Sequence, residues 1–270
     1  MDDNQNPYEP PKADVTPPHS VSQPQVLLPQ PRALPANAGI NWLSASWSLV
    51  KNNLGTWVLL TVSLFAIQML VSMVIAQGGM QDQSLQPILL LLVTLLSTFI
   101  SGGILLGIRN ADSGQPLQLD CLFEGFRQKL APLAGLGALS FGASQVSEYI
   151  LTSMVGLNLH ALETGTIATE GFFTAVAPEQ MILGVILYLL VLLLFWFATP
   201  LVALNDVPVF RAITLSFNAC LRNPLPLILY SIAMGAILIA GIIPLLLGLL
   251  IVVPWMFSSM YVAYKQIFLQ

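Results

Sequence analysis

The chain has 270 residues, of which 8% are charged and 56% hydrophobic, and its mean hydropathy is +0.78. Soluble domains carry about 25% charged residues, so there are too few charges here to cover a water-facing surface, and a soluble globular domain is excluded. The formal charge of −4 sits in loops and near the N-terminus and gives no ground for a nucleic-acid partner.

Residues 1–38 hold nine of the nineteen prolines among Gln, Asn and Ser. Such a segment cannot bury enough apolar surface to offset its ordering entropy, so it reads as a disordered, partly extended tail. It lacks the basic start, apolar core and cleavage site of a secretory signal, and is expected to stay attached on the cytoplasmic side. The transmembrane domain then covers 39–270.

The first element after the tail contains WLSASWSLVKNNLGTW, residues 42–57. Apolar Ile40, Leu43, Trp47, Val50 and Leu54 alternate at helical spacing with Asn41, Ser44, Ser48, Lys51 and Asn52, the pattern of an amphipathic helix. Trp42, Trp47 and Trp57 are read as interfacial anchors, because indole is apolar with one polar handle and favours the headgroup boundary. Lys51 is placed to snorkel toward water.

Apolar runs long enough to cross a bilayer, about 20 residues each, follow at about 56–76, 88–108, 130–154 and 181–203. The last run, 225–262, would reach about 57 Å as one helix at ~1.5 Å per residue, against a hydrocarbon core of about 30 Å. Proline at the end of Gly241-Ile242-Ile243-Pro244, near its middle, removes a helical hydrogen bond. The run therefore divides into 225–243 and 245–262. The sequence thus predicts an all-α fold, a bundle of six transmembrane helices. Pro200 and Pro254 are expected to kink spans four and six. Gly103 with Gly107, and Ala134, Ala138 and Gly142, are expected to let helices of this chain approach closely.

Two further amphipathic segments lead into spans. Leu119, Leu122, Phe123, Phe126 and Leu130 form the apolar face of the one before span three, and Phe210, Ile213, Phe217 and Cys220 that of the one before span five. The order suggests three repeats of cytoplasmic amphipathic helix plus transmembrane hairpin, with Lys51-Asn52-Asn53-Leu54 echoed by Arg222-Asn223-Pro224-Leu225. Basic residues give orientation, since Lys and Arg beside spans are retained in the cytoplasm. With six spans all nine fall on one side: Lys12, Arg32, Lys51, Arg109, Arg127, Lys129, Arg211, Arg222 and Lys265. Both termini are then cytoplasmic.

The leader Asn6-Pro7-Tyr8-Glu9-Pro10-Pro11, the segment ending KNNLGTW, LFEGF, SFNACLRNP and the stretch from Pro254 to Phe268 together resemble an uncharacterised family of bacterial inner-membrane proteins. That family is similar in outline to the YciC-like proteins and to the membrane domain of some glycerophosphodiester phosphodiesterases. The resemblance implies a fold and an inner (plasma) membrane location. It carries no catalytic residues, and the soluble phosphodiesterase domain has no counterpart here.

Sites of chemistry are sparse. The two histidines, His19 and His160, exclude an HExxH motif, and no phosphate loop or intramembrane carboxylate pair is present. Cys121 and Cys220 lack metal-ligand spacing and read as buried thiols. No cofactor or metal is expected. His160, Glu163, Glu170 and Glu179 read as a solvated acidic loop rather than a weak cation site. Glu148 is the ionisable residue well inside a span, where a carboxylate costs about 3 kcal/mol on insertion scales. With Ser140, Ser144 and Thr152 at four-residue intervals and Gln145 beside them, it forms a polar stripe that either lines a path or hydrogen-bonds to neighbouring helices. The sequence therefore supports a non-enzymatic structural, assembly or homeostasis component of the envelope, with a small transporter or channel built around Glu148 as the alternative. Its partners are the lipid bilayer and, beyond it, another membrane protein or a second copy of the chain.

Overall fold

The computed structural model describes residues 26–81, 85–155, 178–244 and 246–270. Residues 1–25 of the tail, with His19, and the outer-loop residues His160, Glu163 and Glu170 lie outside them. Among the described residues ten α-helices follow in order: α1 (Ala38–Lys51), α2 (Leu54–Gln81), α3 (Gln86–Asp112), α4 (Cys121–Gln128), α5 (Leu130–Val155), α6 (Pro178–Phe195), α7 (Ala198–Asn205), α8 (Val209–Arg222), α9 (Pro224–Ile242) and α10 (Leu249–Phe268). Among the described residues the fold is all-helical; the extended pairing is one isolated antiparallel bridge between Leu27 and Leu269.

Among the described residues four stretches are long and apolar enough to cross a membrane: Leu54–Ala76, Gln86–Asp112, Pro178–Asn205 and Pro224–Ile242. In lipid every backbone polar group must be satisfied within the protein, which favours uninterrupted helices. Their hydroxyls obey the same demand: Thr61, Ser63, Thr94 and Thr98 each donate to the carbonyl four residues back.

Burial is concentrated at one end of the long helices. It falls at the starts of α2 (Trp57, Leu60), α5 (Leu133, Leu136) and α9 (Tyr230, Met234), and at the ends of α3 (Ile104 to Ile108), α7 (Leu201 to Leu204) and α10 (Tyr261 to Phe268). The opposite ends carry exposed Met69, Met73, Ile88, Ile182, Ile186 and Ile239, side chains suited to lipid. The short helices α1, α4, α7 and α8 fill the packed end. Backbones there approach closely: a Cβ on Gly103 would lie 2.1 Å from Cys121 O, and one on Gly125 would lie 2.1 Å from Phe99 O. Gly107 likewise meets Cys121. These glycines serve contacts within the chain, as expected, whereas Gly142 faces open space.

Three expectations need correction. The tail is ordered against the packed end from Val26 onward: Leu28 and Arg32 donate their backbone N–H groups to Phe268 O and Ile267 O, each at 2.8 Å. The lead-in faces are also different from those read in the sequence. In α8 the buried residues are Ala212, Leu215, Ser216, Ala219 and Cys220, while Phe210 is 75% exposed. In α4 they are Cys121, Leu122 and Gly125, with Leu119, Phe123 and Leu130 exposed. Small side chains let the backbones come close and leucines pack beside them, while Phe123 and Phe210 face outward.

The third correction concerns span four, which is broken between α6 and α7 at Trp196 and Phe197. The cause is a side chain from another helix. Ser216 Oγ accepts from Phe197 N–H at 3.0 Å and donates to Leu193 O at 3.0 Å, so its hydroxyl occupies the place of the helical bond between those two groups. Pro200 sits in the first turn of α7, where its missing N–H would have served Trp196 O. The final apolar run does divide, with helices ending at Ile242 and resuming at Leu249.

Candidate functional site

The polar stripe of α5 opens onto a groove between α5 and α6 with a volume of about 620 Å³. Its polar edge is Ser140, Ser144, Ser147 and Glu148; its apolar wall includes Leu151, Leu187, Val191 and Phe195, with Tyr188 and Trp196 beside them. Gly184 faces Leu151 across the groove, where an added Cβ would lie in ordinary contact, 3.6 Å from Leu151 Cδ2.

The serines are arranged as acceptors. Ser140, Ser144 and Ser147 donate their hydroxyl protons to Gly137 O at 2.9 Å, Ser140 O at 3.0 Å and Ala143 O at 2.9 Å. Each Oγ keeps its lone pairs for another partner. Thr152 donates to Glu148 O at 2.9 Å. The Glu148 side chain is half-buried, and no described residue supplies it with a hydrogen bond or counter-charge. Gln145 does not line the groove, and Ser147, which the four-residue spacing passed over, does. A second helical period from Ser140, at seven residues, is the signal that would have found it.

The tryptophan cluster has a different character from the one its sequence suggests. Trp42 is fully buried and donates Nε1–H to Gln266 Oε1 at 3.0 Å, its ring centroid 5.9 Å from that of Tyr230. Trp57 is also buried and donates to Leu49 O at 3.4 Å. Trp47 remains at the surface, 37% exposed, with its ring 4.9 Å from that of Trp255, and Trp255 donates to Leu43 O at 2.8 Å. Two of the three expected anchors are thus interior side chains joining α1 to α2, α9 and α10. Lys51 is exposed in the last turn of α1.

Polar side chains at the packed end hold the short helices and the N-terminal segment to the long ones. Lys265 Nζ contacts Asp112 Oδ2 at 2.5 Å, where Tyr261 also donates at 3.1 Å. Lys129 pairs with Asp206, and Arg109 donates to Leu204 O at 3.0 Å. Arg222 donates to Pro31 O at 3.0 Å and Gln30 Oε1 at 2.7 Å. Burial pushes the Cys121 thiol up to about 12, assisted by Glu124 and Asp120, and burial alone pushes Cys220 to about 12. Desolvation, then Asp120, raises the Glu124 carboxyl, with Arg109 and Arg127 opposing. Among the described residues no cluster of His, Cys, Asp and Glu is arranged to hold a metal ion.

No family model matches the chain, and no solved structure matches it. A probable inner membrane protein of Burkholderia thailandensis is 28% identical over 201 residues, covering 70% of this chain and 68% of that protein. With four helices among the described residues long and apolar enough to cross a membrane, that similarity marks the chain as an integral membrane protein.

Proposed function

We propose that the chain crosses the inner membrane six times, with both termini in the cytoplasm, and serves as a non-enzymatic structural, assembly or homeostasis component of the envelope. The observation that carries this reading is the one-ended burial. Alternate ends of α2, α3, α5, α6–α7, α9 and α10 meet in one packed layer, and Lys51, Arg109, Lys129, Arg222 and Lys265 lie at those same ends. Helices that alternate in direction and share one basic end fit the retention of Lys and Arg in the cytoplasm. Most of the polar bonding in that layer joins elements to one another, as suits a stable scaffold. The order α1–α2–α3, α4–α5–α6 and α8–α9–α10, each unit opening with a short helix, supports the threefold repeat. The Burkholderia protein's description as a probable inner membrane protein supports the inner-membrane location.

Two measurements test the proposal. Reporter fusions at Ser113 and Gln270 are expected to read cytoplasmic; a periplasmic reading at either overturns the six-span orientation. The full chain in liposomes is expected to pass neither ions nor small solutes. A flux abolished by Glu148→Gln would instead favour the transporter reading, for which the groove beside Glu148 is the specific support.

A further inference from the structure

We propose that the groove between α5 and α6 binds a phospholipid whose headgroup carries a primary ammonium, with that ammonium on Glu148. Three features of the groove select this ligand. Its polar edge offers acceptors: the Glu148 carboxylate and, within about one helical turn of it, the Ser144 and Ser147 oxygens, whose own protons are already committed to backbone carbonyls. Among the described residues no lysine, arginine or histidine lines it, and none of them pairs with the carboxylate, which suits a cation from outside the chain. A primary ammonium brings both the positive charge and three N–H donors. A choline headgroup has the charge without N–H donors, and a glycerol headgroup has hydroxyls without the charge.

The rest of the groove fits the remainder of the lipid. Leu187, Val191 and Phe195 form an apolar wall against which an acyl chain loses no hydrogen bonds, and the exposed Tyr188 hydroxyl can donate toward a phosphate oxygen. Depth agrees, in a step that rests on the orientation proposed above. Glu148 lies eighteen residues beyond Leu130, about 27 Å along α5 at ~1.5 Å per residue. With Leu130 at the cytoplasmic boundary of a core about 30 Å thick, Glu148 stands near the outer headgroup level. The site does not require transport, and it is compatible with a purely structural protein that carries a bound lipid.

The full chain is reconstituted in vesicles of equimolar phosphatidylethanolamine, phosphatidylcholine and phosphatidylglycerol, extracted in mild detergent, and its retained phospholipid measured by mass spectrometry. Wild type is expected to retain phosphatidylethanolamine enriched at least about fivefold over the other two, the preference a charge-assisted contact confers. Glu148→Gln is expected to bring retention to the bulk ratio, Glu148→Asp to keep part of the preference, and Ser144→Leu to lower total retained lipid by filling the groove. Because the Glu148 carboxylate makes no bond to the described residues, circular dichroism and thermal unfolding of Glu148→Gln should match wild type. Bulk composition on wild type, or an enrichment unchanged by Glu148→Gln, overturns the proposal. The Ser113 and Gln270 reporters separately report on orientation, so a wrong topology and an empty groove give different results.

Discussion

Asn223 and Leu34 are joined by a hydrogen bond from the Leu34 backbone N–H to Asn223 Oδ1 at 2.8 Å, although they lie 189 positions apart in the chain. The same fully buried amide donates Nδ2–H to Arg32 O at 3.0 Å and to Ala219 O at 2.9 Å. One side chain thereby ends α8 and fastens the segment that precedes α1.

Replacing Asn223 with Ala leaves the Leu34 N–H and the Arg32 carbonyl without these partners. Leaving a buried polar group unsatisfied costs about 1–3 kcal/mol. The variant is expected to unfold at lower temperature in detergent and to be cleaved by protease within residues 26–37 while wild type resists. Equal protease resistance would show that the Arg222 contacts and the Leu27–Leu269 bridge hold the segment unaided.

Gly125→Ala should separate α4 from α3, because its Cβ would fall 2.1 Å from Phe99 O, a backbone atom unable to rotate away. Overpacking of this kind costs on the order of 1–3 kcal/mol. Gly142→Ala, with nothing within 4 Å of the added carbon, is expected to be neutral or slightly stabilising through helix propensity. Thermal unfolding of the two variants beside wild type reads the contrast; equal losses would remove the close-approach explanation.

Trp42→Ala should destabilise by about 3–5 kcal/mol, the usual range for truncating a buried tryptophan, and Trp47→Ala by clearly less. If both residues were lipid-facing anchors, the losses would be similar and small. Collisional quenching offers a second reading: lipid-borne quenchers should reach Trp47 and leave Trp42 bright.

The two thiols give a pH dependence. Cys121 and Cys220 are pushed from an ordinary value near 9 to about 12 in the folded chain, chiefly by burial. Between pH 9 and 12 the unfolded state has lost these protons and the folded state retains them, so stability falls as pH rises through that window and is unaffected by them below it. Replacing both cysteines with Ala should flatten that part of the stability profile. At pH 8 maleimide should label neither thiol until the protein is denatured; labelling of the folded chain would contradict their burial.

How much was legible from the sequence follows from what hydrophobicity measures. Apolar runs located the long helices to within a few residues, and Gly241 to Pro244 marked the division before α10. The orientation of α4 and α8 was not legible. Hydrophobic periodicity separates water from everything else, and here both the protein interior and the lipid are apolar. Phe210 and Phe123 define the apolar faces in the sequence because they are large, whereas Ala212, Ala219 and Gly125 are buried, where small side chains let backbones approach. The same limit hid Trp42, whose half-buried partner Gln266 lies 224 positions away. At the groove, Glu148 was visible as a charge out of place, but the wall opposite it depends on how α6 leans against α5, which no local pattern encodes.

The hydroxyl of Ser216 that sits between Phe197 and Leu193 has a mechanical consequence. α6 carries one wall of the groove, and its last turn is tied through this serine to α8, whose far end is Asn223. An occupant that shifts the end of α6 must therefore either extract the serine from the broken turn or carry α8 along with it. In the second case Arg32 and Leu34 move too, and an event among the acyl chains reaches the point where the N-terminal segment leaves the packed layer.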